Sequence, residues 1–317
     1  MKKKKVVVMG GGNGGSISIR ALKPYIKDIE ISAIIAMSDS GYSSGRLREE
    51  FGVLPPGDIL RAVLAMSRYD YPLLKRIFYD SRYSKHGKLK GFGLGHLFIA
   101  FVETYDGNIV NAIRPLAQAI DAVGPVFPVT LESSDLVAKL TNGQSIKGEH
   151  EIDEPAWDRS IRISRVWLDP LPSVYERARQ ELVDADAIII GPGSFYTSII
   201  ATLLPDGVKE AIGKSSAKIY YVAGNAVEGA GETGPQRLSE FVHELETYLP
   251  RSLDAVLYNN TELTQKQKEK YKNKNWVEIV DDGESITSTT VLGFDYEKRD
   301  GGLDIQKLGE KLREIII

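Results

Sequence analysis

A doubly wound α/β fold, built on a mostly parallel, Rossmann-like sheet with a small β-rich embellishment, is predicted by three features of the sequence. Short apolar runs recur without polar alternation. Helix-period segments separate them. Three strand ends run directly into glycine-rich turns.

The runs Lys5–Met9, Ile31–Met37, Ile163–Leu168, Ala187–Ile190, Ile219–Val222 and Ala255–Tyr258 are read as strands of that sheet. Several are apolar on both faces, as strands covered by helices on either side must be. Between them Ser16–Lys27, Asp58–Ser67, Gly95–Thr104, Ser173–Val183 and Arg237–Tyr248 carry the helical period. Residues 125–152 read as short strands and turns, with Asn142-Gly143 as the hairpin turn. Residues 261–285 are polar and lysine-rich and read as a surface helix and loop. No internal repeat or Pro/Ser-rich linker divides the chain, so a single nucleotide-binding α/β domain over 1–317 is expected, embellished near 125–152 and 261–285.

Composition narrows the function classes. Forty basic against 43 acidic residues leave a net charge of −3, with no general basic field to hold nucleic acid. The absence of cysteine removes disulfides, thiolate zinc sites and cysteine nucleophiles, and fits a reducing cytoplasm. The apolar stretch Val6–Met9 behind the N-terminal lysines is shorter than the about 7–15 residues of a secretory h-region. No stretch approaches the ~20 apolar residues of a spanning helix. A cytoplasmic protein with no membrane partner is expected.

The first glycine-rich turn, "GGGNGG" at 10–15, places glycines 10, 12 and 15 in G-x-G-x-x-G spacing between a strand and a helix. Such a turn lets a ligand approach the backbone, and the unpaired amides of a helix start attract an anion. Gly11, Gly12, Asn13 and Gly14 are therefore candidate ligand residues. No Gly-Lys-Ser/Thr follows, which excludes a P-loop.

The second turn follows Ile31–Met37 as "SDSGYSSGRLREEFGVLPPGDILRA". Asp39 stands where a dehydrogenase carries its ribose-binding acid, which keeps a nicotinamide-dinucleotide oxidoreductase among the readings. The neighbours Ser40, Ser43, Ser44 and Arg46 instead make a second anion-binding loop. Asp39 and Asp58 could also meet on one hydrated Mg²⁺, whereas Asp58 read structurally caps the helix from Ile59. The third turn, Gly191-Pro192-Gly193-Ser194, follows Ala187–Ile190, and Thr197 and Ser198 stand at a helix start. Three such turns after strands of one sheet suit an extended ligand with more than one phosphate.

These stretches together resemble the family that joins the bacterial gluconeogenesis factors, also described as morphogenesis regulators, to the 2-phospho-lactate transferases of coenzyme F420 biosynthesis. "GGGNGG" is similar to the family's GGGTG opening, and "SDSGYSSGRLREEFGVLPPGD" to its DDGGSSGRLR…LPPGD block. "GPGSFYTSII" is similar to its GPGS…YTSI block, and "VFPVT", "IKGEHEI", "SRVWLDP" and "YYVAGNAVEGAGET" follow in family order, from about residue 5 to about 260.

The resemblance implies a uridine-diphospho-sugar ligand in the regulator branch, above all the N-acetylglucosamine form. In the transferase branch it implies a nucleotide-linked phospho-acid donor, a deazaflavin alcohol and Mg²⁺. It puts Gly11, Gly12, Ser43, Ser44, Arg46, Asp58, Gly193, Ser194 and Thr197 at the ligand, with Asn225 and Glu232 lining the pocket. Departures stand at Asn13 (threonine in the regulators), Ser40 (aspartate), Tyr42 (glycine) and His96 (asparagine).

The leading expectation is a binding regulator without turnover, its diphosphate on the amides of 11–16 and 191–195 beside Arg46. The alternative is a Mg²⁺-dependent phospho-lactate-type transferase using Asp39 and Asp58. Expected partners are a nucleotide sugar or nucleoside diphosphate and a second copy of the chain in a homodimer. Of the histidines, 86, 150 and 243 are expected at the surface, and His96 beside a helix start.

Overall fold

Val6–Met9 and Ile188–Ile190 are apolar on both faces, and both faces are buried. In a computed structural model, which describes residues 2–84, 87 and 89–317 (Tyr42 by its backbone alone), they form the centre of a parallel sheet. The strands are β1 (Lys4–Gly10), β2 (Ile29–Ile35), β3 (Val126–Pro128), β7 (Ala187–Ile190), β8 (Lys218–Val222), β10 (Ala255–Asn259) and β12 (Thr290–Phe294). Their order is β12-β10-β8-β7-β1-β2-β3, every pair parallel. From β1 the chain runs outward to β2 and β3, then returns to β7 and runs outward on the other side. The strand order thus reverses between β1 and β7, which creates a crevice at their carboxyl ends. The first and third glycine turns leave the sheet there: Met9 pairs with Ile190 and Gly10 with Ile35.

Helices α1 (Gly12–Leu22), α2 (Tyr42–Phe51), α3 (Pro56–Met66), α4 (Tyr71–Lys75), α5 (Leu94–Asp106), α6 (Val110–Ala119) and α7 (Glu149–Asp153) are the first seven along the chain. Helix α1 begins inside the glycine run, four residues earlier than expected, and gives way at Pro24 to a 3₁₀ turn over Lys23–Tyr25. It packs on α3 and on the last helix, Ile305–Ile316. One buried apolar cluster extends from Val6 to Ile316.

Three expectations are corrected. Ile163–Leu168 lies in β6 (Ile163–Asp169), which belongs not to the main sheet but to an antiparallel one with β4 (Asp135–Leu140) and β5 (Ser145–Lys147). Ser164, Arg165 and Asp169 of β6 are exposed, as a strand covered on one side allows. Within 125–152, Val126–Pro128 joins the main sheet at its edge, and only the remainder forms the embellishment. Asn142 and Gly143 do sit in the β4–β5 turn, where Gly143 has φ +89°. The 261–285 segment contains the expected helix, Gln265–Asn273, started by a Thr264–Gln267 capping box. It then adds β11 (Trp276–Glu278), paired antiparallel with β9 (Ala226–Glu228). Strand β12 was not expected.

Candidate functional site

The glycines of the first turn exist because other loops lie against them. A β-carbon on Gly14 would collide with the carbonyl of Pro192, and one on Gly12 with the carboxylate of Asp58. A β-carbon on Gly11 would stand 2.8 Å from the Asp58 carboxylate and collide with the Ser198 hydroxyl. Residues 10–15, 57–58 and 191–198 are therefore in mutual contact at the rim of the sheet. Ser18 strengthens this, its hydroxyl donating to the carbonyl of Gly191 at 2.6 Å.

Helix α1 is thereby committed in part. Gly11 is its N-cap. The Gly12 amide donates to Asp58, and the Gly15 amide returns to the Gly11 carbonyl at 3.0 Å. The amides of Asn13 and Gly14, which a helix start leaves without intrahelical acceptors, are those that remain for a ligand.

In the second turn Asp39 accepts the Gly41 amide at 2.9 Å, and Ser44 accepts the Gly57 amide at 3.2 Å. Asp58 is not the helix cap expected of it. Helix α3 starts two residues earlier, at Pro56, whose ring suits a first helical position, so Asp58 sits third and its carboxylate reaches across to Gly12. Arg46 extends over the Phe92 ring, 4.5 Å from its centroid, and donates to the Lys90 carbonyl at 2.7 Å. Ser40, where the family carries an acid, holds the embellishment. Its hydroxyl accepts the His150 amide at 2.9 Å, and its amide donates to Glu149 at 3.2 Å.

In the third turn Gly191 has φ +80°, which favours glycine. Ser194 caps a π-helical turn, Phe195–Ile200. Two of its early amides are taken within the protein: Glu232 accepts from Tyr196 at 3.1 Å and from Thr197 at 2.6 Å.

Two cavities open over this rim. The first, of about 630 Å³, is lined by Gly12, Asp39, Ser43, Ser44, Arg46 and Asp58 from the first two turns, and by Thr197 from the third. The second, of about 550 Å³, is lined by Asn225, Glu232 and apolar side chains including Phe195, Tyr221, Phe241 and Trp276. Asn13, Gly14, Gly193 and Ser194, with the acids Asp153 and Glu228, border both cavities, and the four small residues form the ridge between them. Gly11 and Gly191 shape the loops without lining either cavity. The Asn225 amide group donates to the buried carboxylate of Glu297.

The first cavity also gathers residues that the sequence reading did not single out. Glu149 and Asp153 arrive on α7. Burial, and then Asp39, pushes the Glu149 carboxyl up to about 9. Burial, with Asp39 next, raises Asp58 to about 6, and Arg61 opposes the rise. Arg61 and Arg82 lie 4.3 and 5.3 Å from the centroid of the Tyr79 ring. His96, buried against the same ring at 4.7 Å, is held neutral: burial, then Arg82 and Arg61, press it down to about 3. His150, part-exposed as a surface residue, lines this cavity too. His86 and the side chain of Tyr42 fall outside the described residues. Of these additions, Arg61 was legible, standing three places after Asp58 on one helical turn. Among the described residues no three His, Asp or Glu side chains group closely enough to hold a metal. No helix among them is long and apolar enough to cross a membrane.

Comparison with known proteins agrees with this arrangement. The model of the family described as "2-phospho-L-lactate transferase CofD" matches residues 6–294. The chain is 38% identical to the "Putative gluconeogenesis factor" of Thermotoga maritima, over 96% of each chain. It is 35% identical to the "Gluconeogenesis factor" of Bacillus subtilis, over 82% of this chain and 80% of that protein. A crystal structure of a UPF0052 family member from Bacillus halodurans superposes with a TM-score of 0.89 at 29% identity, covering 99% of both chains. With glycine turns, LPPGD segment and sheet all in place, this chain belongs to the CofD family, whose members include the gluconeogenesis factors.

Proposed function

We propose that the protein binds a nucleotide sugar of the uridine-diphospho-N-acetylglucosamine type and acts as a cytoplasmic regulator of carbon metabolism and envelope synthesis, without turning the ligand over. The observation that carries this reading is the ridge of Asn13, Gly14, Gly193 and Ser194 between two cavities. A diphosphate laid on the ridge meets the amides of Asn13 and Gly14 and directs the ends of the ligand to opposite sides. The aromatic second cavity suits a base. The first, with its hydroxyls, carboxylates and guanidinium groups, suits a sugar.

A second reading, a Mg²⁺-dependent transferase, draws on the crowding of Asp39 and Asp58. Asp39 helps to raise the Asp58 carboxyl, and a divalent cation beside the ridge would relieve that repulsion. Two carboxylates next to a phosphate position fit the ion's preference for a few acidic ligands and retained water. Bound there, Mg²⁺ would neutralise phosphate charge, while the chain's own residues would position donor and acceptor.

Calorimetric titration with UDP-N-acetylglucosamine, GDP and NADH, each with and without Mg²⁺, separates the readings. Micromolar or tighter binding of the sugar nucleotide, recovered intact, supports the regulator. Metal-dependent binding of GDP, with product formed from a deazaflavin alcohol, replaces it with the transferase. Binding of NADH alone overturns both.

A further inference from the structure

One face of α1 continues from the ridge into the second cavity. Asn13, Ser16, Ile17 and Arg20 all line that cavity, at the i, i+3, i+4 and i+7 places of one helical stripe. Arg20 ends the stripe as a half-buried guanidinium laid on the Tyr71 ring, 4.3 Å from its centroid. Among the described residues no carboxylate or carbonyl is bonded to it. Asp70 acts on it only from a distance and spends its carboxylate on the Leu73 amide at 2.8 Å. Lys75, on the same wall, already pairs with Asp80 at 3.1 Å. Burial pulls the Arg20 pKa down, as it does for a cation that has given up water without gaining a counter-ion. Buried charges are normally paired, so these open donors mark a place for an anion.

We infer that Arg20 binds a phosphate on the ribose of a nucleotide whose 5′-diphosphate lies on the ridge, and that such a ribose-phosphorylated nucleoside diphosphate competes with the nucleotide sugar. The inference rests on the ridge reading above. Distance agrees. Arg20 stands seven residues beyond Asn13, about 10 Å of helix rise, and its side chain leans back toward the helix start. That leaves the breadth of one ribose between the two anion positions. Charge agrees as well: the acids Asp153 and Glu228 stand beside the ridge, whereas Arg20, Lys75 and Lys298 border the second cavity alone. A phosphate meets the guanidinium fork with two parallel, charge-assisted bonds, which a neutral base carbonyl cannot match in strength. The cavity, of about 550 Å³, is of the size that holds a whole drug-sized ligand, so base and phosphorylated ribose enter together.

Calorimetry at fixed ionic strength and without Mg²⁺ tests this with GDP and guanosine 3′,5′-bis(diphosphate), which differ only at the ribose 3′ position. UDP-N-acetylglucosamine serves as the reference for the ridge. The tetraphosphate should bind at least about tenfold more tightly than GDP and displace the sugar nucleotide. Arg20→Gln, which keeps a flat polar group on Tyr71, should bring that ratio below about twofold, and Arg20→Lys should leave it in between. A thermal melt checks that both variants are folded. Equal wild-type affinities, a ratio that survives Arg20→Gln, or a tetraphosphate that fails to bind or to displace the bound sugar nucleotide overturns the proposal and leaves the ridge standing. If none of the three nucleotides binds, ridge and proposal fall together.

Discussion

The carboxyl group of Glu232 accepts the amide of Thr197 at 2.6 Å, so the helical turn after the third glycine loop carries its own internal acceptor. Two amides of that turn are thus taken by the protein itself, which leaves the ligand the ridge at Asn13 and Gly14.

Removing that acceptor should cost stability. Glu232→Ala strands two buried amides, and a loss of about 2 kcal/mol is expected. Urea unfolding of the variant measures it. An unchanged midpoint would show that the amides find other partners.

Gly14→Ala should damage the ridge. The added methyl meets the Pro192 carbonyl, which is backbone and cannot swing aside. A loss of about 1–3 kcal/mol is expected, together with weaker nucleotide binding. Gly15→Ala, the next position of the same helix, where the methyl would only touch the Ile35 side chain at 3.6 Å, controls for the effect of losing a helical glycine. Equal losses at the two positions would refute the contact argument.

Glu103 should give the protein a pH-dependent stability. One of its carboxylate oxygens accepts the Leu54 amide while the other is buried without a partner, and burial raises the group to about 7. The folded value lies above the unfolded one, so the folded chain binds this proton more tightly. The contribution is complete below the ordinary value of 4.5 and is lost as pH rises through about 7. The stability of Glu103→Gln relative to wild type should therefore climb between pH 5 and pH 8. Parallel unfolding midpoints across that range would contradict it.

Arg46→Ala should weaken binding of UDP-N-acetylglucosamine about tenfold, or ~1.4 kcal/mol. A stability loss of about 1 kcal/mol should accompany it, since the side chain leaves the Phe92 ring and the Lys90 carbonyl, while its exposed ion pair with Glu50 adds little. Calorimetry and a thermal melt together decide this. Wild-type affinity would remove Arg46 from the site.

The three turns were legible because each is a local pattern: an apolar run, glycines, then hydroxyls at a helix start. Their convergence was legible as well, since strands of one parallel sheet end on one rim. Glu149 and Asp153 were not, because they reach the cavity only when Ser40 pairs with His150, 110 positions further along. The misreading of Ile163–Leu168 has a similar origin. Six residues record that a strand is partly buried but not which neighbour it joins. Asp58 was misread as a cap because Pro55-Pro56 starts the helix early, and its true partner, Gly12, is remote in sequence.

The short helix Glu149–Asp153 belongs to an appendage outside the main sheet, moored to it through Ser40. It is held at a second point, where Asp153 accepts the Thr197 hydroxyl at 3.5 Å, and its Ile152 is buried in the main core. The raised Glu149 carboxyl keeps its proton at neutral pH. The appendage therefore brings the first cavity an uncharged hydrogen-bonding group at that position and not a further negative charge.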